Sequence, residues 1–152
     1  MSSRRGITPE SSTKDSDQKP HPERVIALCR HDPEGSPSHH DLFLGPETGP
    51  FGDEERVLES WRLPEDPRKL GSGEAMAIVA IGLHRGLYAR LEAPRVLDRG
   101  RGRVIPVARG RVRVESGGAG MRVLGITWSD GVDEILALES VHGGGFRLHK
   151  RS

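Results

Sequence analysis

The sequence predicts a mainly β protein: a small antiparallel β-barrel with little helix, behind a disordered N-terminal tail. Three observations lead there. The apolar residues come in short runs rather than in long helical stripes. The 20 glycines fall mostly between those runs, where tight turns need them. Residues 1–22 are rich in Ser, Pro, Lys, Arg, Asp and Glu and lack apolar periodicity, so they read as tail, and 23–152 as the barrel domain.

Structure is expected to begin near Arg24. Val25 to Arg30 is the first apolar run, Asp41 to Leu44 the second, and a Gly/Pro-rich loop follows over Gly45 to Gly52. Val57, Trp61 and Leu63 alternate with Leu58, Ser60 and Arg62, which predicts a strand covered in part on both faces. Pro64 and Pro67 stop it. Glu74 to Leu83 is short and almost wholly apolar, and periodicity leaves helix and buried strand both open there. Arg103 to Val107 is a strand candidate. Arg111 to Val114 alternates Arg with Val and so has one wet face. The last third reads as a meander: Met121 to Trp128, a hairpin turn at Ser129-Asp130-Gly131, Val132 to Val141, a run of three glycines, and Phe146 to His149.

Composition excludes some functions. At 34% apolar residues the chain supports one modest core, and no stretch is long enough for a membrane span. Residues 1–22 have no signal-peptide core, and the lone Cys29 allows no intrachain disulfide, so a soluble, cytoplasmic protein is expected. Cys29 lies in an apolar run and reads as a packing residue. Gly100-Arg101-Gly102 lacks the Lys-Ser/Thr of a phosphate-cradling loop. Net charge is only +1, but residues 32–74 hold eleven acids against four bases, and residues 85–113 nine arginines against two acids. That asymmetry fits either a phosphate-binding footprint or a set of solvated arginines on strand faces.

Three pieces carry candidate chemistry. If His39-His40-Asp41 is extended, His39 and Asp41 point one way and His40 the other. His31, at the end of the preceding strand, can close a site with them. Two imidazoles and a carboxylate suit Mn²⁺, Zn²⁺ or Fe²⁺, although surface histidines are common and a His-x-Asp pair often means nothing. His84 follows the long apolar run, where it can bind a metal, donate to a phosphate oxygen or satisfy a neighbouring carbonyl. Tyr88, the chain's one tyrosine, fits core packing. Glu92 can orient an imidazole or pair with a nearby arginine.

Taken in order, these pieces resemble the 3′-phosphoesterase domain of bacterial DNA ligase D, in particular its short stand-alone relatives. The residues that carry the resemblance are His31, His39-His40-Asp41, Leu58-Glu59-Ser60-Trp61-Arg62-Leu63-Pro64, His84 to Tyr88, Leu91-Glu92-Ala93, and Asp98 to Gly110. They span about residues 24–114. The resemblance implies a compact β-barrel that removes phosphates and terminal ribonucleotides from the 3′ ends of broken DNA, usually with Mn²⁺, Zn²⁺ being the alternative. It favours a strand over Glu74 to Leu83. It makes His31, His39 and Asp41 the metal ligands, sets His84 against the scissile phosphate, and has Tyr88 support that pocket. Arg62, Arg85 and Arg101 are the candidates for holding phosphates. A monomer acting on DNA ends, with a DNA ligase or another repair protein as partner, is the expectation.

The departures from that family bear on activity. Phe43 stands where it has an Arg two residues after the metal-motif Asp, Glu65 where it has a Lys, and Ala75 and Met76 where it has an Arg opening the strand before His84. The interval from His31 to His39 is two residues longer. Each missing charge-assisted phosphate contact removes ~2–4 kcal/mol of transition-state stabilisation. Arg62, Arg85, Arg90 and Arg101 are the candidates to substitute. The alternatives are therefore a non-catalytic nucleic-acid- or partner-binding module of the same fold, and a small scaffold whose histidines are structural.

Overall fold

The first three strands alternate their side chains between two faces, and those two faces end up in different cores. The computed structural model describes residues 22–151, so the expected tail falls, apart from residue 22, outside the described residues. Among the described residues nine strands follow in chain order: β1 Glu23–Asp32, β2 His39–Leu44, β3 Arg56–Leu63, β4 Ala75–Arg85, β5 Arg95–Val96, β6 Arg103–Ser116, β7 Met121–Trp128, β8 Asp133–Ser140 and β9 Phe146–Lys150. Helix among the described residues is confined to two 3-10 turns, Pro67–Lys69 and Gly86–Ala89.

All pairings are antiparallel. Neighbours run β1-β2-β3-β4-β9-β8-β7-β6, and β6 pairs back onto β1, so eight strands close a barrel. Closure leaves no unpaired long edge on β1 or β6. The two-residue β5 sits outside the ring on the first residues of β6. No helix among the described residues is long and apolar enough to cross a membrane.

The uncertain segment before His84 is strand β4, as the family resemblance favoured. Arg103 to Val107 and Arg111 to Val114, read as separate pieces, are one 14-residue strand. Pro106 does not interrupt it because the ladder to β1 shifts there: Cys29 faces Pro106, Leu28 faces Ala108, and Val107 is the extra residue. A proline without an N–H is tolerated at such a bulge. The turn at Ser129-Asp130-Gly131 closes with Gly131 N–H donating to Trp128 O at 2.8 Å, Gly131 taking a left-handed φ of 91°.

Ile26, Leu28, Leu42, Leu44, Trp61 and Leu63 point into the barrel, where they meet Val112, Leu124, Trp128 and Leu138. The residues between them point out. Ala27, Cys29, Phe43 and Leu58 form, with Val104, a second and smaller core on the outside of β1–β3. It is roofed by Phe51 and by Tyr88, Ala89, Leu91 and Leu97 from the segment after β4. Strand β3 is thus covered on both faces. The candidate site lies beside this outer core.

Candidate metal centre

Strand register brings the site together. His31 is directly opposite His39 across the β1–β2 ladder, and Cys29 opposite Asp41. Positions two apart share a face, so His31, His39 and Asp41 all project outward. His40 projects inward, among Asp66, Arg68 and Lys69. The loop over residues 33–38 is pinned at its base: Arg30 donates twice to the Asp32 carboxylate, at 2.9 and 3.0 Å, and Ser38 Oγ donates to it at 2.6 Å. These bonds, Arg30 first, hold the Asp32 carboxyl down at about 2. The pinned loop absorbs the longer interval and seats His39 against His31.

One donor atom from each of His31, His39 and Asp41 lies within 4.8 Å of the others. His31 Nδ1 is 3.2 Å from His39 Nε2, and His39 Nε2 is 3.3 Å from Asp41 Oδ1. Two donors bound to one cation at about 2.1 Å, with octahedral to tetrahedral angles, stand about 3.0–3.4 Å apart. The rings of His31 and His39 are nearly perpendicular, at 79°, so they meet edge to face rather than stacked. On its other side His31 Nε2 lies 2.9 Å from the backbone carbonyl of Arg101.

The electrostatics suit a cation ligand set. Asp41 is only 7% exposed, and its Oδ1 is buried with no hydrogen-bond partner among the described residues. The close His39 Nε2 is off the hydrogen-bonding line. A carboxylate oxygen left this way is costly, and a cation among the three donors would satisfy it. Burial pushes the Asp41 carboxyl up to about 6, against the pull of His31 and Arg62. Burial also holds the His39 imidazole down at about 4, with the Arg62 charge acting the same way. At pH 7 His39 is neutral and Asp41 ionised, the forms in which both are metal donors. Cys29, pushed up to about 12 by burial and then by Asp41, stays a thiol, its Sγ 3.9 Å from the Tyr88 carbonyl.

His84 reaches the same outer face two strands away. It faces Leu58 across β3–β4, and its ring stands 5.6 Å from that of Phe43 and 6.2 Å from that of Tyr88. Phe43 and Tyr88 are stacked, 5.6 Å apart at 13°. Burial lowers the His84 imidazole below the usual histidine range, and its Nδ1 is buried without a partner among the described residues. Arg62 lies opposite Asp41 in the β2–β3 ladder and is exposed. Its charge reaches His39, Asp41 and His84.

A scan against protein-family models finds no match to this chain, and a search of curated proteins finds none either.

The other candidate residues are distributed less favourably. Arg85 donates to Glu54 at 2.9 Å and lies 5.9 Å over the Tyr88 ring, and Arg90 is paired with Asp53 at 2.8 Å. The Arg101 side chain turns back to the Asp98 carbonyl at 3.1 Å, so Arg101 meets the triad through its backbone. Glu92 is 81% exposed at its side chain and pairs with Arg109 at 3.7 Å, away from any imidazole. Phe43 is buried under Tyr88, and Met76 is in the inner core. The acidic and basic stretches do meet, at Arg103–Asp32 as well as at the Arg85 and Arg90 pairs. Sequence reasoning missed two supports: the Arg101 carbonyl, which has no side-chain signature, and the Arg30–Asp32–Ser38 clamp, signalled only by an acid and a serine bracketing a Gly/Pro loop.

Proposed function

We propose that this protein is a metal-dependent phosphoesterase acting on the 3′ ends of DNA, removing a 3′-phosphate or a 3′-terminal ribonucleotide during repair. One observation carries the reading: His31, His39 and Asp41 converge on an outer face that also presents Arg62 and His84. A cation of the Mn²⁺ or Zn²⁺ type suits the donor set. When bound, it supplies Lewis acidity toward a phosphoryl oxygen.

The chain's own residues have distinct parts. His39, neutral, and Asp41, ionised, can take up a cation with no net proton release from either at neutral pH. Arg62, exposed beside Asp41, would take a phosphate oxygen by a charge-assisted hydrogen bond. His84, kept neutral by burial, would donate one ring N–H to the same phosphate. Tyr88, stacked on Phe43, shapes the wall beside it and excludes water from that side.

A specific observation favours a second reading, a DNA- or partner-binding module without turnover. Arg85 and Arg90, two of the arginines that would replace the missing phosphate clamp, are engaged by Glu54 and Asp53. The test is incubation of the protein with a primer–template bearing a 3′-phosphate, with and without added Mn²⁺. Mn²⁺-dependent phosphate release is expected. Salt-sensitive binding with no product would select the binding module, and absence of both binding and product would remove DNA as the ligand.

A further inference from the structure

The loop between β5 and β6, Leu97 to Gly102, contributes no side-chain donor to the triad, yet it touches the triad at one atom. The Arg101 carbonyl faces His31 Nε2 at 2.9 Å. A carbonyl can only accept, so the proton of a neutral His31 belongs on Nε2, and the lone pair belongs on Nδ1, the nitrogen that faces His39.

That carbonyl is held from both sides. Leu97 N–H donates to Gly102 O at 2.8 Å, and Arg101 N–H to Asp98 O at 3.3 Å. Strand β5 then ties the loop to β6 through Arg95↔Val104 and Val96↔Arg103. Gly102 is the critical joint. Its φ is +84°, and a Cβ there would fall 1.9 Å from the Asp32 carbonyl oxygen and 2.7 Å from Pro33 Cα, both backbone atoms that cannot swing away. Only glycine lets the loop lie this close to the residue following His31. The Arg101 side chain, by contrast, plays no part in the contact: it is exposed and bonded to Asp98 O.

We infer that Arg101, through its backbone carbonyl, and Gly102, through its lack of a side chain, are positioning residues that fix His31 as the Nε2–H tautomer and aim Nδ1 at the cation. The inference rests on the metal reading for its consequence and on the loop geometry for its substance. An outer hydrogen bond of this kind orients a ligating imidazole and raises its basicity, and its loss lowers metal affinity by about 10–100-fold.

The experiment compares Gly102→Ala and Arg101→Ala with the unchanged chain. Mn²⁺ and Zn²⁺ affinities are measured by competition with a chelator, and the His31 tautomer of the metal-free protein by long-range ¹H–¹⁵N NMR. The unchanged chain and Arg101→Ala should show His31 protonated on Nε2 and bind metal within about twofold of each other. Gly102→Ala should bind at least tenfold more weakly and show a mixed or Nδ1–H tautomer. Equal losses in both variants, or no loss in a folded Gly102→Ala, would overturn the assignment. If Gly102→Ala does not fold, the unchanged chain decides: an Nδ1–H tautomer at His31 overturns the inference, and Nε2–H sustains it. If the unchanged chain binds neither metal, the metal reading falls, while the tautomer still settles whether this loop positions His31.

Discussion

Strand β2 has two faces with opposite tasks. Leu42 and Leu44 turn inward and are essentially inaccessible, packed in the barrel core. His39 and Asp41, one residue out of step with them, turn outward and leave a carboxylate oxygen buried without a hydrogen-bond partner among the described residues. The inner face packs both of its leucines against apolar neighbours, while His40, inward at the strand's start, keeps a buried Nδ1 without a partner among the described residues. The outer face buries a carboxylate that His31 and Arg62 offset only in part and whose Oδ1 has no hydrogen bond among the described residues. The difference teaches where to look for function: chemistry is expected where burial is electrostatically incomplete, not where it is most extensive.

The largest effects should separate the two faces. Leu42→Ala removes a fully buried side chain from the barrel and should lower stability by about 2–5 kcal/mol, read by urea unfolding. Metal affinity of the folded protein should be unchanged. Asp41→Ala should do the reverse. It should lower Mn²⁺ or Zn²⁺ affinity at least tenfold, measured by chelator competition, and leave the metal-free protein no less stable at pH 7. The sign follows from the raised carboxyl: the folded state holds the Asp41 proton up to about 6 and the unfolded chain only to 3.8. Asp41 therefore contributes stability at low pH that is lost as pH rises through about 6, and its removal abolishes that loss. A destabilised Asp41→Ala protein with intact metal binding would erase the distinction between the faces.

His84→Ala sharpens the comparison within the outer face. Phosphate release from a 3′-phosphorylated primer should fall well below that of the unchanged chain, with metal content spared. Equal loss of both would make His84 a ligand. Metal binding should also depend on pH. Affinity should fall as pH drops through about 6, where the Asp41 proton competes with the cation. His39, held at about 4, adds no proton cost above that pH. The smallest expected effect belongs to Arg62→Gln, which should weaken DNA binding modestly and reduce its salt slope by about one, as for a single lost phosphate contact.

The sequence was legible where alternation was clean. Val57 to Leu63 announces a two-faced strand, and His39-x-Asp41 a shared face, because side-chain direction in a strand has a period of two. The meander of β7–β9 was marked by its turn residues. Legibility failed at Pro106, where a bulge let one strand continue through a residue that normally ends one. It failed again at the arginines, whose long side chains reach whatever acid the fold brings near: Arg85 found Glu54, 31 residues away in sequence. The Arg101 carbonyl was invisible for a plainer reason, since every residue carries one. Spacing gave the donors of the candidate site; the support around them is a property of the closed barrel.

The central claim is that the outer face of β1 and β2 binds one divalent cation through His31, His39 and Asp41. Its most direct test is a Mn²⁺ titration of the full chain followed by electron paramagnetic resonance, run in parallel on Asp41→Ala and Leu42→Ala. One tightly held Mn²⁺ per chain is expected, kept in Leu42→Ala and lost in Asp41→Ala. Free Mn²⁺ throughout the titration of the unchanged chain, or an undiminished bound signal in Asp41→Ala, would contradict it.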